Sequence, residues 1–492
     1  MAYRLRNPDS LYINGEWVGV ASGSVEEVLN PATEEVLGLA PVGGLEHAEA
    51  AIAAARHAFD EGEWRRRSAT DRVALLNRFL DAIVARQEEI VGLIVAEVGS
   101  PSTRAPFHIK ATVGYARFML EAALREGVTA YPPEVNPTVG GLKMLGSAVS
   151  VRLPIGVVAA ITPFNLPFLN IVKIVPALAT GNAVVLKPSP YTPFEALLLG
   201  EIADEVGLPA GVLNIITGGI QVGNQMSTDP RVDLITFTGS DAVGAKLQAQ
   251  AAPTLKRLLL ELGGKSALIV RSDADLAAAA MTGAASFTAG SGQGCLLTTR
   301  HLVHNSVRAE YVERVAALAS KAVIGNPADP LVTIGPLIRA VQRERTEQYV
   351  DIALAEGARL VTGGARPEHL DKGFFYKPTL FDDVQNGWRI AQEEVFGPIA
   401  VVIGFDHDEE AVAIANHSQY GLHGGIFSRD VGRAYEMAMQ VETGYVAING
   451  GSGGLSVAAP FGGIKRSGYG REYGVEGLHE YTYQKSISFH AA

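Results

Sequence analysis

From Leu153 onward the chain alternates short, wholly apolar runs with longer stretches whose apolar positions recur every three or four residues. "GVVAAI", "NAVVLK", "VLNIIT", "LITFT" and "RLLLEL" are too short and too uniformly apolar for amphipathic helices, and predict strands buried on both faces. "FLNIVKIVPALATG" and "FEALLLGEIADEVG" stand between them with helical spacing. This alternation predicts a parallel sheet covered on both sides. A second series runs through "RHLVHN", "IAVVIGF", "EEAVAIANHS" and "GYVAING". The fold class is therefore α/β, with two doubly wound α/β units. Ahead of them, "LYINGEWV" sets Asn14-Gly15 between short alternating runs, a hairpin signal. "LEHAEAAIAAARHAFDEG" and "RVALLNRFLDAIVARQEEIVGLIVAEVG" predict long amphipathic helices. "AYPPEVNPTVGGLKMLGSAVSVRLP" predicts a hairpin excursion, with the alternating C-terminal "YTYQKSISFH" as an edge strand to partner it.

Composition narrows this picture. A chain of 492 residues exceeds what one core supports, and 47% apolar with 19% charged residues is ordinary for a folded globular protein. A net charge of −11 with no basic stripe argues against a nucleic-acid partner. Arg152 interrupts the longest apolar candidate, "AVSVRLPIGVVAAI", so no membrane span is expected. The single cysteine permits no internal disulfide, which fits a reducing compartment and a cytoplasmic location.

That cysteine, Cys295, stands in "SGQGCLLTTR", among Gly290, Gly292 and Gly294. A lone thiol is usually a small buried hydrophobe, but glycines give it no side chains to pack against. In open parallel sheets ligands sit beyond the carboxyl ends of the strands, so the residues there carry most meaning. They are Asn165 in "TPFNLPF", which could be a turn residue, and Lys187 in "KPSPYTP", which could be a solvated charge. Gly218, Gly219 and Gly223 follow "VLNIIT"; Gly239 and Ser240 follow "LITFT" and open a helix whose free N–H groups suit a phosphate. Glu261 ends "RLLLEL" inside an apolar run, where burial raises a carboxyl toward the range of a general base, unless a buried lysine pairs with it. No metal-ligating spacing is present, and His407, His417 and His423 are too loosely spaced to suggest one.

Taken in order, "TPFNLPF", "KPS", "FTGSDAVG", "LELGGKS", "GQGC", "EEVFGP" and "PFGGIKRSGYGRE" resemble the aldehyde dehydrogenase superfamily over nearly the whole chain. The resemblance implies a dinucleotide-binding domain (1–130 and 153–262), a catalytic domain (263–470) and a small β oligomerisation arm (131–152 and 478–492), assembled as a homodimer or homotetramer. It implies that Cys295 attacks the aldehyde carbon, that Asn165 and the Cys295 backbone N–H stabilise the oxyanion, and that Glu261 activates the water that hydrolyses the thioester. Glu472 and Lys173 match proton-relay positions, although Lys173 could be structural and Glu472 could cap a helix. For the cofactor, NAD with NADP as the other candidate, it points to Thr162, Lys187, Ser189, Gly219, Gly223, Thr238, Gly239, Ser240, Val243, Leu262, Gln342, Glu394 and Phe396.

Two departures matter. Many NAD-preferring members carry a glutamate three residues after the ribose-binding lysine, and here that residue is Pro190. The frequent tryptophan before the oxyanion asparagine is Phe164. With Leu166, Phe168, Leu296, Leu455 and Phe461 it implies an apolar entrance for aliphatic or aromatic aldehydes. Coenzyme A-acylating relatives commonly lack the glutamate of "LELGG", which is present here. A non-catalytic binding protein on the same fold would have no need of Cys295 and Asn165, and a cysteine hydrolase would leave the glycine loops unexplained.

Overall fold

The Asn14-Gly15 turn closes the first hairpin as its sequence requires. Both residues lie at positive φ (56° and 76°), the twist-matched geometry of a two-residue turn, and Ser10–Ile13 pairs with Glu16–Gly19. The computed structural model describes residues 5–490 apart from 138, 139, 142, 167 and 453. In it this hairpin forms one edge of an eight-stranded sheet. The strand order is Glu16–Gly19, Ser10–Ile13, Leu213–Ile215, Ala183–Lys187, Val157–Ile161, Leu234–Thr238, Arg257–Glu261, Gly468–Tyr469. The middle five strands are parallel and are the five apolar runs of the sequence. Chain order reverses at Val157–Ile161, so a crevice opens between its carboxyl end and that of Leu234–Thr238.

Leu45–Asp60 turns Ala48, Ala51, Ile52, Ala55 and Phe59 onto this sheet, as its spacing predicts. Leu169–Ala179 is buried on every side, between the sheet and the helix Ala105–Arg125. The expected long helix after Arg72 is broken. Arg86 leaves helical geometry (φ −97°, ψ 18°) where its guanidinium meets Glu89, Glu201 and Glu205. Gln87–Leu93 and a wider turn, Ile94–Val98, follow, ended by Gly99 at φ 76°.

The second sheet runs Arg359–Thr362, Thr379–Asp382, Ile399–Phe405, Arg300–His304, Ala267–Val270, His423–Phe427, Tyr445–Ile448, parallel except at its first pair. His423–Phe427 was not legible as a strand because His423, Gly424 and Gly425 interrupt its apolar pattern. Gly468–Tyr469 pairs antiparallel with Leu260–Glu261, so the end of the expected catalytic segment 263–470 lies on the first sheet. This pairing of Gly468 opposite Glu261, with the Leu262 N–H donating to the Ser467 carbonyl at 3.0 Å, ties the late "PFGGIKRSGYGRE" stretch to Glu261.

The excursion forms a separate small sheet. Lys143–Pro154 pairs antiparallel with Thr482–His490 over nine residues, from Thr482 opposite Pro154 to His490 opposite Gly146. Parts of the expected arm, residues 138, 139, 142, 491 and 492, lie outside the described residues. Among the described residues no helix is long and apolar enough to cross a membrane.

Candidate active site

Cys295 sits five residues before the strand Arg300–His304, at the amino end of the second sheet, and shares a cavity with residues from the carboxyl ends of the first. Its loop leaves the helix Leu276–Thr288 through Gly290, Ser291 and Gly292, all at positive φ (56°, 57° and 74°). Ser291 Oγ anchors the turn by donating to the Gly335 carbonyl at 2.7 Å. At Gly292 a Cβ would collide with the backbone of Gly397 and Pro398, and at Gly264 with the Cys295 carbonyl. These glycines let three backbones close around one thiol, which answers why it is set among them.

Asn165 reaches this loop from the end of the strand Val157–Ile161. Its Nδ2 donates to the Gln293 carbonyl at 2.8 Å, which fixes one amide N–H and leaves the second for another acceptor. Burial raises the Cys295 thiol above its ordinary range, and the nearby Glu261 and Glu394 carboxylates add to this. The site therefore stores a neutral thiol and needs a base to make the thiolate.

Glu261 is 2% exposed and, among the described residues, neither carboxylate oxygen has a hydrogen-bond partner. Burial, then the Glu472 carboxylate, pushes its pKa well above the carboxylate range, against the opposing pull of Lys173 and Arg471. The buried lysine that could have paired with it is taken: Lys173 donates to Glu472 at 2.6 Å and to Thr236 Oγ1 at 3.0 Å. Glu472 is held by reciprocal backbone hydrogen bonds with Phe461.

The cavity at Cys295 has a volume of about 610 Å³ and is lined by Phe164, Asn165, Thr238, Gly239, Ser240, Leu262, Gln342, Glu394 and Phe396 among others. Ser240 caps the helix Asp241–Ala251, and Thr238, which lines the cavity, has a buried Oγ1 without a partner among the described residues, an orphan that fits a polar ligand. Glu394 accepts the Gly264 N–H at 2.9 Å, and burial raises it to about 7. Gln342 acts on the loop itself, donating to the carbonyls of Val395 and Phe396 at 3.1 and 2.7 Å. Val243 is exposed on the first turn of its helix.

Lys187, Ser189, Gly219 and Gly223 lie outside this cavity, along the carboxyl edge of the sheet. Gly223 stands beside the Lys187 stem, where a Cβ would rest 3.9 Å from Lys187 Cδ. Burial lowers Lys187 to about 8, with Glu26 opposing. Ser189 Oγ accepts the Tyr191 N–H at 3.2 Å, and the Thr162 hydroxyl is committed to Asn170.

The expected substrate residues separate. Leu296 and Leu455 line a second cavity of about 130 Å³ with Leu268, Thr298, His423, Phe427 and Tyr445. Phe461 packs between Tyr445 and Tyr473, 6.3 and 6.2 Å away, tilted to the first and edge-on to the second. Phe164 instead belongs to the larger cavity, its ring 6.0 Å from Phe396 and 5.8 Å from Tyr191. Phe168 is fully buried in the core of the first domain and Leu166 packs at its margin. The backbone turns at Phe168 (φ 68°), and its ring lies in the core and not beside Phe164.

Sequence reasoning passed over Arg345, Tyr349 and Tyr420, which line the larger cavity. Arg345 donates to the carbonyls of Glu394 and Val395 at 2.6 and 3.1 Å, bracing the same loop as Gln342. Its signal was only helical spacing, three residues after Gln342. Among the described residues no cluster of three His, Cys, Asp or Glu could hold a metal ion.

A sequence model of the aldehyde dehydrogenase family matches residues 17–487. A 3-succinoylsemialdehyde-pyridine dehydrogenase of Pseudomonas sp is 40% identical over 98% of this chain and 99% of its own length. Among solved structures, a Mycobacterium tuberculosis aldehyde dehydrogenase complexed with NAD+ superposes with a TM-score of 0.91 at 42% identity, covering 97% of both chains. An E. coli NADP-dependent enzyme superposes at 0.93 with 35% identity and 98% coverage of both. With a thiol, a carboxamide and a buried carboxylate gathered where two α/β sheets meet, the chain belongs to the aldehyde dehydrogenase family, and it is an aldehyde dehydrogenase.

Proposed function

We propose that the protein oxidises an uncharged aliphatic or aromatic aldehyde to its carboxylic acid, using NAD or NADP. The observation that carries this is the placement of the chain's one thiol in the same cavity as Asn165, Thr238 and Glu394. The donor set fits a dinucleotide. Ser240 and the helix N-terminus behind it suit a pyrophosphate, Lys187 a ribose, and Glu394 a second ribose beside Phe396.

Cys295 gives up its proton, either to the Glu261 carboxylate or to a water, and its sulfur adds to the aldehyde carbon. The free N–H of the Asn165 amide and the Cys295 backbone N–H receive the negative oxygen that forms, so that charge develops against fixed donors. Bound NAD(P) supplies the acceptor for the hydride that leaves this carbon, and the acyl group remains on Cys295 as a thioester. Glu261 then takes a proton from water as the water oxygen adds to the acyl carbon, and the Cys295 sulfur leaves with the bonding pair. Glu472 and Lys173 stand behind Glu261 to carry that proton onward.

The tail of the substrate is read by the smaller cavity. Its walls are mainly aliphatic and aromatic, no Lys or Arg lines it, and burial lowers His423 to about 4, so the ring is neutral. The pyridine semialdehyde named for the Pseudomonas relative is consistent with an aromatic tail. Reduced-cofactor formation across aliphatic, aromatic and carboxylate-bearing aldehydes tests the proposal. Aromatic and medium aliphatic aldehydes should give the highest kcat/KM. A preference for the carboxylate-bearing substrates would overturn the substrate class, and no turnover with any aldehyde would overturn the reaction.

A further inference from the structure

Two buried carboxyl groups stand behind the loop that carries Asn165, and neither lines either cavity. Glu97 accepts the backbone N–H groups of Phe194 at 2.9 Å and Glu195 at 3.3 Å, fixing the first turn of the helix Phe194–Val206. Glu195, in that turn, reaches the other way. Its Oε2 accepts the Phe168 N–H at 3.1 Å and its Oε1 the Asn170 side-chain amide at 3.4 Å. Asn170 Oδ1 in turn accepts the Thr162 hydroxyl at 2.6 Å, and the Thr162 N–H bonds the Lys187 carbonyl. Thr162 and Phe168 are the two feet of the loop, and Asn165 stands between them.

The loop needs such a clamp. Phe168 adopts φ 68°, which is unfavourable for a bulky side chain. It begins the helix Leu169–Ala179 with no side-chain cap of its own. Its fully buried N–H would be left without an acceptor if Glu195 were absent.

We infer that Glu195 is a positioning residue for the oxidation: by holding both feet of the loop it sets the reach of the Asn165 amide toward Cys295. This rests on the oxyanion role proposed for Asn165. A small displacement of an oriented donor can cost on the order of 100-fold in rate, so an effect is expected although Glu195 touches no reacting atom.

The test is a double-mutant cycle read on the first-turnover burst of reduced cofactor. Glu195→Ala should slow the burst at saturating cofactor by about 10- to 100-fold, with the rate of Cys295 alkylation by iodoacetamide unchanged within about 2-fold, since alkylation does not use the oxyanion donor. In the Asn165→Ala background the same change should cost less than about 2-fold. Glu195→Gln keeps an acceptor for Phe168 and should retain the burst within about 3-fold, which holds the test open if the alanine variant does not fold. Full multiplication of the two losses, an unaltered burst in Glu195→Ala, or a glutamine variant that folds but is as slow as alanine would each overturn the inference. If Asn165→Ala alone leaves the burst intact, the oxyanion role falls and takes the inference with it.

Discussion

Lys173 Nζ donates to Glu472 Oε1 across 2.6 Å, joining residues 299 apart in the chain behind the one carboxylate of the site that has no hydrogen-bond partner. The lysine is on the buried helix Leu169–Ala179, and the glutamate follows the edge strand Gly468–Tyr469. Glu261 thus faces a neutralised pair rather than a bare cation. That keeps its carboxyl high in pKa and available for protons.

Breaking this pair from one side should be expensive. Lys173→Met leaves Glu472 buried without its cation, and removing one partner of a buried pair typically costs about 3–5 kcal/mol. Urea unfolding should show that loss for the single variant. Lys173→Met combined with Glu472→Leu should recover most of it, because an apolar pair of similar volume has no charge to desolvate. Equal stability of the single and double variants would show that the ion pair is not what holds this corner.

Glu261 should set the acid limb of steady-state turnover. Only its ionised form accepts a proton from water, and burial raises its pKa, so activity should be lost as pH falls through a value well above the ordinary carboxylate range. Glu261→Gln should remove that limb and lower turnover by about 10²–10⁴-fold. A burst of one reduced cofactor per active subunit should survive if Glu261 acts on water alone. A slowed burst would mean that it also takes the Cys295 proton, and unchanged single-turnover decay of the thioester would leave it without either role.

The arm should hold copies of this chain together. Along Thr482–His490 the side chains of Tyr483, Ile487 and Phe489 are exposed, as are Leu145 and Val135 across the sheet, on a strand whose outer edge has no partner among the described residues. A homodimer or homotetramer is expected by light scattering at micromolar concentration. Ile487→Lys with Phe489→Lys should shift it toward monomer, and an active wild-type monomer would refute the assignment.

What could be read from the sequence was what is local. Each parallel strand of the first sheet is a single apolar run, and the residues just past its end, such as Asn165 and Ser240, fall at the crevice because strand direction puts them there. The hairpin at Asn14-Gly15 needed only two residues to specify it. Long-range pairings were not legible. Nothing near Glu195 in the chain marks it as the acceptor for Phe168, and nothing near Gly468 shows that it returns to the first sheet beside Glu261. Phe168 misled for a related reason. Phe164 and Asn165, a few residues before it, line a cavity, but Phe168 takes a left-handed turn and its side chain lies in the core.

Cofactor preference should depend on pH through Lys187. Burial lowers this lysine from its usual value to about 8, so it is charged below that pH and neutral above it. A 2′-phosphate draws on the positive charge, whereas a ribose hydroxyl needs only a donor or acceptor at Nζ. As pH rises from about 7 to about 9, one unit either side of the shifted value, kcat/KM for NADP should therefore fall more steeply than that for NAD. Pro190→Glu brings a carboxylate to the position that Pro190 occupies in the same turn. It should repel the 2′-phosphate by a factor of about ten or more, while stabilising the charged lysine and moving the alkaline limb to higher pH. NADP and NAD profiles that stay parallel in the wild type, together with an unaltered cofactor ratio in Pro190→Glu, would show that neither Lys187 nor the residue at 190 reads the ribose.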